Sequence, residues 1–291
     1  MAVSSGLGVE YEVELSTGRL RYRERGQGPP VVFVHGLLAN ADLWRSVVPG
    51  VAAAGLRCVA PDWPLGAHEL AVPGMDLSPP GMATVIAEFL ERLDLHEVTL
   101  VANDTGGALT QILMARSPER VARVVLTPSD SLERFFPPMF ALLPALARVP
   151  GGLWLMTRAV RLPWVAQAPI GFGWLTKRGL PAMVLRSFLT SSCRSPAVRA
   201  DMGRFLRGVD KRHTLAAAEG LHRFDRPVLL AWAIEDRLFP IALAHRLAER
   251  LPQARIIGIS DAYTFVPEDQ PEALTRLIVE FVGAPAASQP G

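Results

Sequence analysis

The stretch "EVTLVANDTGGALTQILMARS", residues 97–117, constrains this chain more than any other. An apolar run of strand length passes straight into a helical run through Ala102-Asn103-Asp104-Thr105-Gly106. Small residues flank a central carboxylate because such a strand-to-helix turn is tight and a bulkier neighbour clashes. The turn lifts Asp104 clear of the strand at the N-terminus of the next helix, where the helix dipole favours an anion. An aspartate ahead of a helix also serves as a plain N-cap, so the motif alone leaves two readings open.

The rest of the chain repeats the alternation of strand and helix. "VEYEVEL" and "RLRYRE" alternate as half-buried strands, and "PVVFVHG" and "LRCVAPDW" are apolar throughout. A helical run covers Ala41 to Ala54, and "GMATVIAEFLERLDL" has apolar residues at helical spacing. "VARVVLTPSD", "RPVLLAWAIED" and "ARIIGIS" read as further buried strands, the last two each followed by a helix. Buried strands alternating with helices imply an α/β protein with a mostly parallel twisted sheet flanked by helices. Residues 1–130 and 213–284 are expected to form this core. The segment 131–212 interrupts it and reads as an inserted helical cap over the carboxyl edge of the sheet. Residues 285–291 read as a disordered tail.

Composition narrows the function classes. With 291 residues, 49% of them hydrophobic, the chain can bury a large core. A formal net charge of +2 argues against bulk nucleic-acid binding. No apolar run approaches the roughly 20 residues that span a bilayer, and the N-terminus lacks a signal-peptide layout, so no membrane partner is expected. Cys58 and Cys193 lie far apart in the sequence, as two reduced thiols of a cytoplasmic protein would. No metal, nucleotide or flavin motif occurs, so no metal or cofactor is implied. Between Ser131 and Arg212, however, thirteen arginines and lysines face three acids (Glu133, Asp201, Asp210). A solvated helical surface or an anionic ligand would each account for that excess. The oligomeric state is not fixed by the sequence.

Two further signals flank Asp104. His35-Gly36 directly follows a buried strand, where an oxyanion-hole amide is expected; Leu37 N–H would supply one donor and Thr105 N–H the other. His35 is then a structural residue of the loop. Asp236, in "LLAWAIEDRLFP", leaves the end of a strand where a triad's orienting carboxylate would sit.

With these motifs in this order, the chain resembles the α/β-hydrolase family over essentially its whole length. Within it, the chain looks like the aspartate-nucleophile branch that includes haloalkane dehalogenases and epoxide hydrolases. The resemblance implies an α/β-hydrolase fold. It also implies attack of Asp104 on carbon to form an alkyl-enzyme ester, which a histidine held by a carboxylate then hydrolyses. That histidine is missing. Where the family reads Asp-Ala-Gly-His-Phe, this chain has Asp261-Ala262-Tyr263-Thr264-Phe265, and threonine has no titratable group near neutrality. Thr105 stands where dehalogenases commonly carry a halide-binding tryptophan. The cap also lacks the tyrosines that epoxide hydrolases use, since Tyr11, Tyr22 and Tyr263 are the only ones.

Two residues are candidates for the missing work. His68 follows a strand whose carboxyl end faces the crevice, and Asp130 follows the strand after the elbow, where some dehalogenases place an alternative carboxylate. Several acids around one pocket should raise at least one pKa. Leu38, Trp63, Phe136, Phe140 and Tyr263 are expected to line the pocket. The substrate is expected to be small to medium and apolar, with an anionic group if the cap arginines turn inward. Three readings stay open: a hydrolase centred on Asp104, a non-hydrolytic lyase, isomerase or cyclase in which Asp104 moves a proton, and a catalytically dead ligand-binding protein.

Overall fold

The computed structural model describes residues 5–283, so the expected tail and the first four residues lie outside it. Eight strands form one sheet: β1 (Val9–Leu15), β2 (Gly18–Arg25), β3 (Pro30–Val34), β4 (Arg57–Pro61), β5 (Val98–Asp104), β6 (Val121–Ser129), β7 (Val228–Ala233) and β8 (Ala254–Ile259). Their order is β1-β2-β4-β3-β5-β6-β7-β8. β1 pairs with β2, and β2 with β4, antiparallel; every other pairing is parallel. The central strands β5 and β7 are buried along nearly their whole length, as strands covered on both faces must be. β8 departs from the expectation of a buried strand. It is the edge of the sheet, and only Ile259 is fully buried.

Helices α1 (Val48–Ala53), α2 (Pro79–Arg92) and α3 (Thr105–Arg116) cross between the early strands. The helix expected over Ala41–Ala54 is broken into a short 3-10 turn, Ala41–Trp44, and α1. Pro49 lies in the first turn of α1, where its missing N–H costs nothing, and it would interrupt a longer helix. α3 is buried on almost every side, from Thr105 to Met114. An all-round apolar helix of this kind belongs in the middle of a core.

Between β6 and β7 the chain is helical: α4 (Leu143–Leu146), α5 (Gly152–Ala159), α6 (Pro163–Ala166), α7 (Ala182–Arg194), α8 (Pro196–Gly208) and α9 (Lys211–Gly220). Helices α10 (Ile241–Ala248), α11 (Val266–Asp269) and α12 (Pro271–Gly283) complete the second half. Most arginines of the helical segment donate to backbone carbonyls, as Arg207 does to Ala147 and Arg204 to Met75 and Val72. Much of the local positive charge therefore satisfies helix and loop carbonyls.

Candidate active site

β5 and α3 meet without a loop, and Asp104 takes φ 55° and ψ −133° to make the turn. That backbone region is sparsely populated for any residue with a Cβ and costs roughly 1–3 kcal/mol. Neighbouring glycines make the turn sterically possible. A Cβ on Gly106 would overlap the carbonyls of Val34 and His35, and one on Gly36 would overlap the Asp104 carboxylate itself. Although Asp104 occupies the N-cap position of α3, its side chain makes no capping bond. Its carboxylate accepts instead from the backbone N–H groups of Thr105 and Leu37. These are the two amides expected to form an oxyanion hole, and here both donate to the Asp104 carboxylate.

Burial pushes the Asp104 carboxyl up to about 7, opposed by the Thr105 N–H, assisted by the charge of Asp236 and opposed again by Leu37 N–H. Asp130 is fully buried beside it; burial, then the Asp104 charge, hold its carboxyl well above the usual range. Its Oδ2 accepts from Thr105 Oγ1 at 3.1 Å, while Oδ1 takes no protein hydrogen bond. Asp236 is pushed up to about 6, again chiefly by burial. Its Oδ1 accepts from the amides of Leu238 at 2.7 Å and Phe239 at 2.6 Å. Its Oδ2 accepts from Thr264 Oγ1 at 2.8 Å. Thr264 is fully buried, and its carbonyl accepts from Asn103 Nδ2 at 2.7 Å. Asn103, the second residue of the elbow, therefore ties the Thr264 loop to β5 and β6, since it also donates to Thr127 Oγ1 at 2.7 Å.

Asp104 opens onto a cavity of about 80 Å³, bounded by the β3 and β5 turns below and the helical segment above. Leu37, Leu38, Thr105, Phe136 and Phe140 line it, together with Phe172 and with Leu143, Met156, Val160 and Leu175, the last four not singled out from sequence. Apart from Asp104 and Thr105 the lining side chains are apolar, and the space holds several water-sized groups.

Three expected site residues lie elsewhere. Trp63 is locked in the core with Nε1 donating to the Phe33 carbonyl at 3.0 Å, because a buried indole N–H must find an acceptor. Tyr263 presents its ring to two cations, Arg237 at 4.8 Å and Lys177 at 5.5 Å, and does not reach the cavity. His68 is buried with Nδ1 accepting from Gly66 N at 3.2 Å and Nε2 placed 3.2 Å from Asp201 Oδ2. Asp201 also binds Arg204 and the Val72 amide, so His68 fastens α8 to the loop after β4 and does not line the cavity. His35 is a neutral imidazole: Nδ1–H donates to the Gly36 carbonyl, Nε2 accepts from Trp63 N, and burial lowers its pKa to about 4. Among the described residues no cluster of His, Cys, Asp and Glu is arranged to hold a metal ion. Both cysteines are free and buried.

Sheet order, elbow and helical insertion define the α/β-hydrolase fold, and a family model of that description matches residues 29–167. Haloalkane dehalogenase 2 of Mycobacterium tuberculosis is 27% identical over 288 residues, covering 92% of this chain and 93% of the relative. A cis-3-alkyl-4-alkyloxetan-2-one decarboxylase of Shewanella oneidensis is 24% identical, covering 91% and 85%. Among solved structures, the haloalkane dehalogenase DatA of Agrobacterium tumefaciens superposes with a TM-score of 0.77 at 24% identity, covering 96% of this chain and 98% of DatA. The chain has the α/β-hydrolase fold and is a hydrolase-like enzyme, similar in sequence to haloalkane dehalogenases. Among the described residues no helix is long and apolar enough to cross a membrane.

Proposed function

We propose that Asp104 is a carbon-directed nucleophile acting on a small apolar electrophile. The observation that carries this reading is the pair of amides, Leu37 and Thr105, donating to the Asp104 carboxylate. In a proton-transfer enzyme those amides would face a substrate oxygen. Here they donate to the Asp104 carboxylate, the group that would attack. As it bonds to carbon, the leaving group departs with its electron pair. The oxygen that does not attack becomes the ester carbonyl, with the same two amides as its nearby donors.

The second half of the cycle is unusual. The Thr264 hydroxyl, donating to Asp236, stands where a base is needed, and it does not titrate near neutrality. Hydrolysis of an ester on Asp104 is therefore slow, or the productive reaction avoids water. The second course is favoured by Thr264 and by the similarity to a decarboxylase of oxetan-2-ones. Attack of Asp104 on the saturated ring carbon bonded to oxygen breaks that C–O bond and frees a carboxylate on the neighbouring carbon. Loss of carbon dioxide then supplies the electrons of a new C=C bond and expels Asp104 unchanged. Neither step consumes water or needs a histidine.

The test is intact-protein mass spectrometry after incubation with haloalkanes, epoxides and oxetan-2-ones, with Asp104→Asn as control. A stable adduct from the first two classes, absent in the variant, supports the nucleophile. An alkene and carbon dioxide from the third, with no lasting adduct, support the elimination. No adduct and no product from any class would overturn both.

A further inference from the structure

From residue 134 to residue 200 the chain carries nine arginines and lysines and no aspartate or glutamate. The same segment holds most of the large apolar side chains that stand in solvent, including Trp164 at 73% exposure, Leu142 at 72%, Ile170 at 66% and Leu155 at 64%. They are not scattered. Leu142, Val149, Trp154, Leu155 and Ile170 line one groove of about 640 Å³ across α4 and α5, with no polar side chain in its wall. Apolar patches of this extent are rare on monomers that meet only water. Exposed guanidinium groups border the groove. Arg158 lies over the Trp154 ring at 4.6 Å, Arg148 reaches the Pro144 carbonyl, and Arg161 opens on the next cleft.

We propose that this face of the cap docks on a bilayer surface containing anionic lipid. Tryptophan beside arginine is the pairing that suits the boundary between acyl chains and headgroups: the ring enters the interface while the cation stays at the phosphates. Lys177 and Arg178 pair with Glu235 and Asp261 outside the segment, and lipid headgroups supply negative charge to the guanidinium groups beside the groove. A second copy of the chain fits the face less well, because its own copy of the patch brings arginines against arginines. The groove is also continuous with the catalytic cavity: Phe140, Leu143, Met156, Val160 and Ile170 line both. An apolar substrate dissolved in the bilayer thus reaches Asp104 without crossing water. The absence of a spanning segment in the sequence bears on insertion through the bilayer, and docking on its surface needs none.

Co-sedimentation of the full chain with vesicles tests this independently of the chemistry at Asp104. Phosphatidylcholine vesicles with and without roughly one third phosphatidylglycerol are compared at low and high salt. Binding is expected to the anionic vesicles, weakened by salt, with a blue shift of tryptophan emission. It should fall roughly tenfold or more in Arg158→Glu with Arg161→Glu, and in Trp154→Ser with Trp164→Ser. All four positions are exposed, and thermal unfolding checks that each variant folds. Equal binding to neutral and anionic vesicles would overturn the electrostatic basis of the proposal. No binding to either overturns the proposal, and a dimer lost in the tryptophan variant would then assign the patch to a second copy.

Discussion

Thr264 donates its hydroxyl proton to Asp236, Oγ1 to Oδ2 at 2.8 Å, deep in the protein. Two backbone amides hold the other oxygen of the same carboxylate. In the proposed function, the hydrogen bond that would orient a catalytic base is made by a group that cannot be one.

Thr264→His should convert a stalled ester into a turning-over one. A positioned imidazole contributes roughly 10²–10⁴ in rate, so release of product from the adduct should accelerate by at least the lower figure. The position is fully buried, and the larger ring should cost about 1–3 kcal/mol in stability. Burst and steady-state phases measured on a reactive haloalkane separate the two steps. An unchanged steady-state rate in a folded variant refutes the assignment of Thr264 to the missing base.

Thr264→Ala removes the donor to Asp236 without adding a base. A buried acceptor left short of a partner costs about 1–3 kcal/mol. Urea unfolding at pH 8 should show a loss in that range, with the rate of adduct formation nearly unchanged.

The pH dependence of alkylation should report Asp104. Only the carboxylate attacks, and its pKa is pushed up to about 7, so the rate should rise as pH increases through 7 and then level off. Stability runs the other way. An acid whose folded pKa lies above its unfolded value binds more protons when folded, so stability falls as pH rises from about 4 to about 7. Asp104→Asn should lose the adduct and lessen that fall, to which Asp130 and Asp236 also contribute, leaving the variant more stable than the parent at pH 8 by on the order of 2 kcal/mol. Thermal melts of both proteins from pH 4 to 8 check the sign.

Gly36→Ala places a methyl group in the Asp104 carboxylate. Overpacking of this kind costs about 1–3 kcal/mol, and the displaced carboxylate would leave the Leu37 and Thr105 amides. Adduct formation should fall at least roughly tenfold in protein whose circular dichroism still shows the fold.

His68→Gln separates anchoring from catalysis. Its partner Asp201 is almost fully buried, and weakening that contact should lower stability by about 1–3 kcal/mol. The pH profile of adduct formation should keep its midpoint. A shift or loss of that midpoint would return His68 to the chemistry.

Local pattern carried most of the fold. Apolar runs of strand length fixed β3 to β7, since strands covered on both faces have no polar side to show. The small residues around Asp104 announced the elbow, because only they fit a turn that sharp. The same stretch could not reveal that the amides of Leu37 and Thr105 close on Asp104 itself, for that depends on β3 and β5 lying side by side. Nor could sequence tell Phe136, which faces the cavity, from Trp63 and Tyr263, which do not. The direction of an aromatic side chain follows from what its polar atoms and its ring can reach: Phe33 O for Trp63, two cations for Tyr263. His68 makes the same point, because its partner Asp201 lies 133 residues away in the chain. Sequence determined which groups this protein has and where strands and helices run, through short-range sterics and periodicity. Tertiary structure alone decided which groups share a proton or a cavity, because those contacts join residues that only the packed sheet and cap bring together.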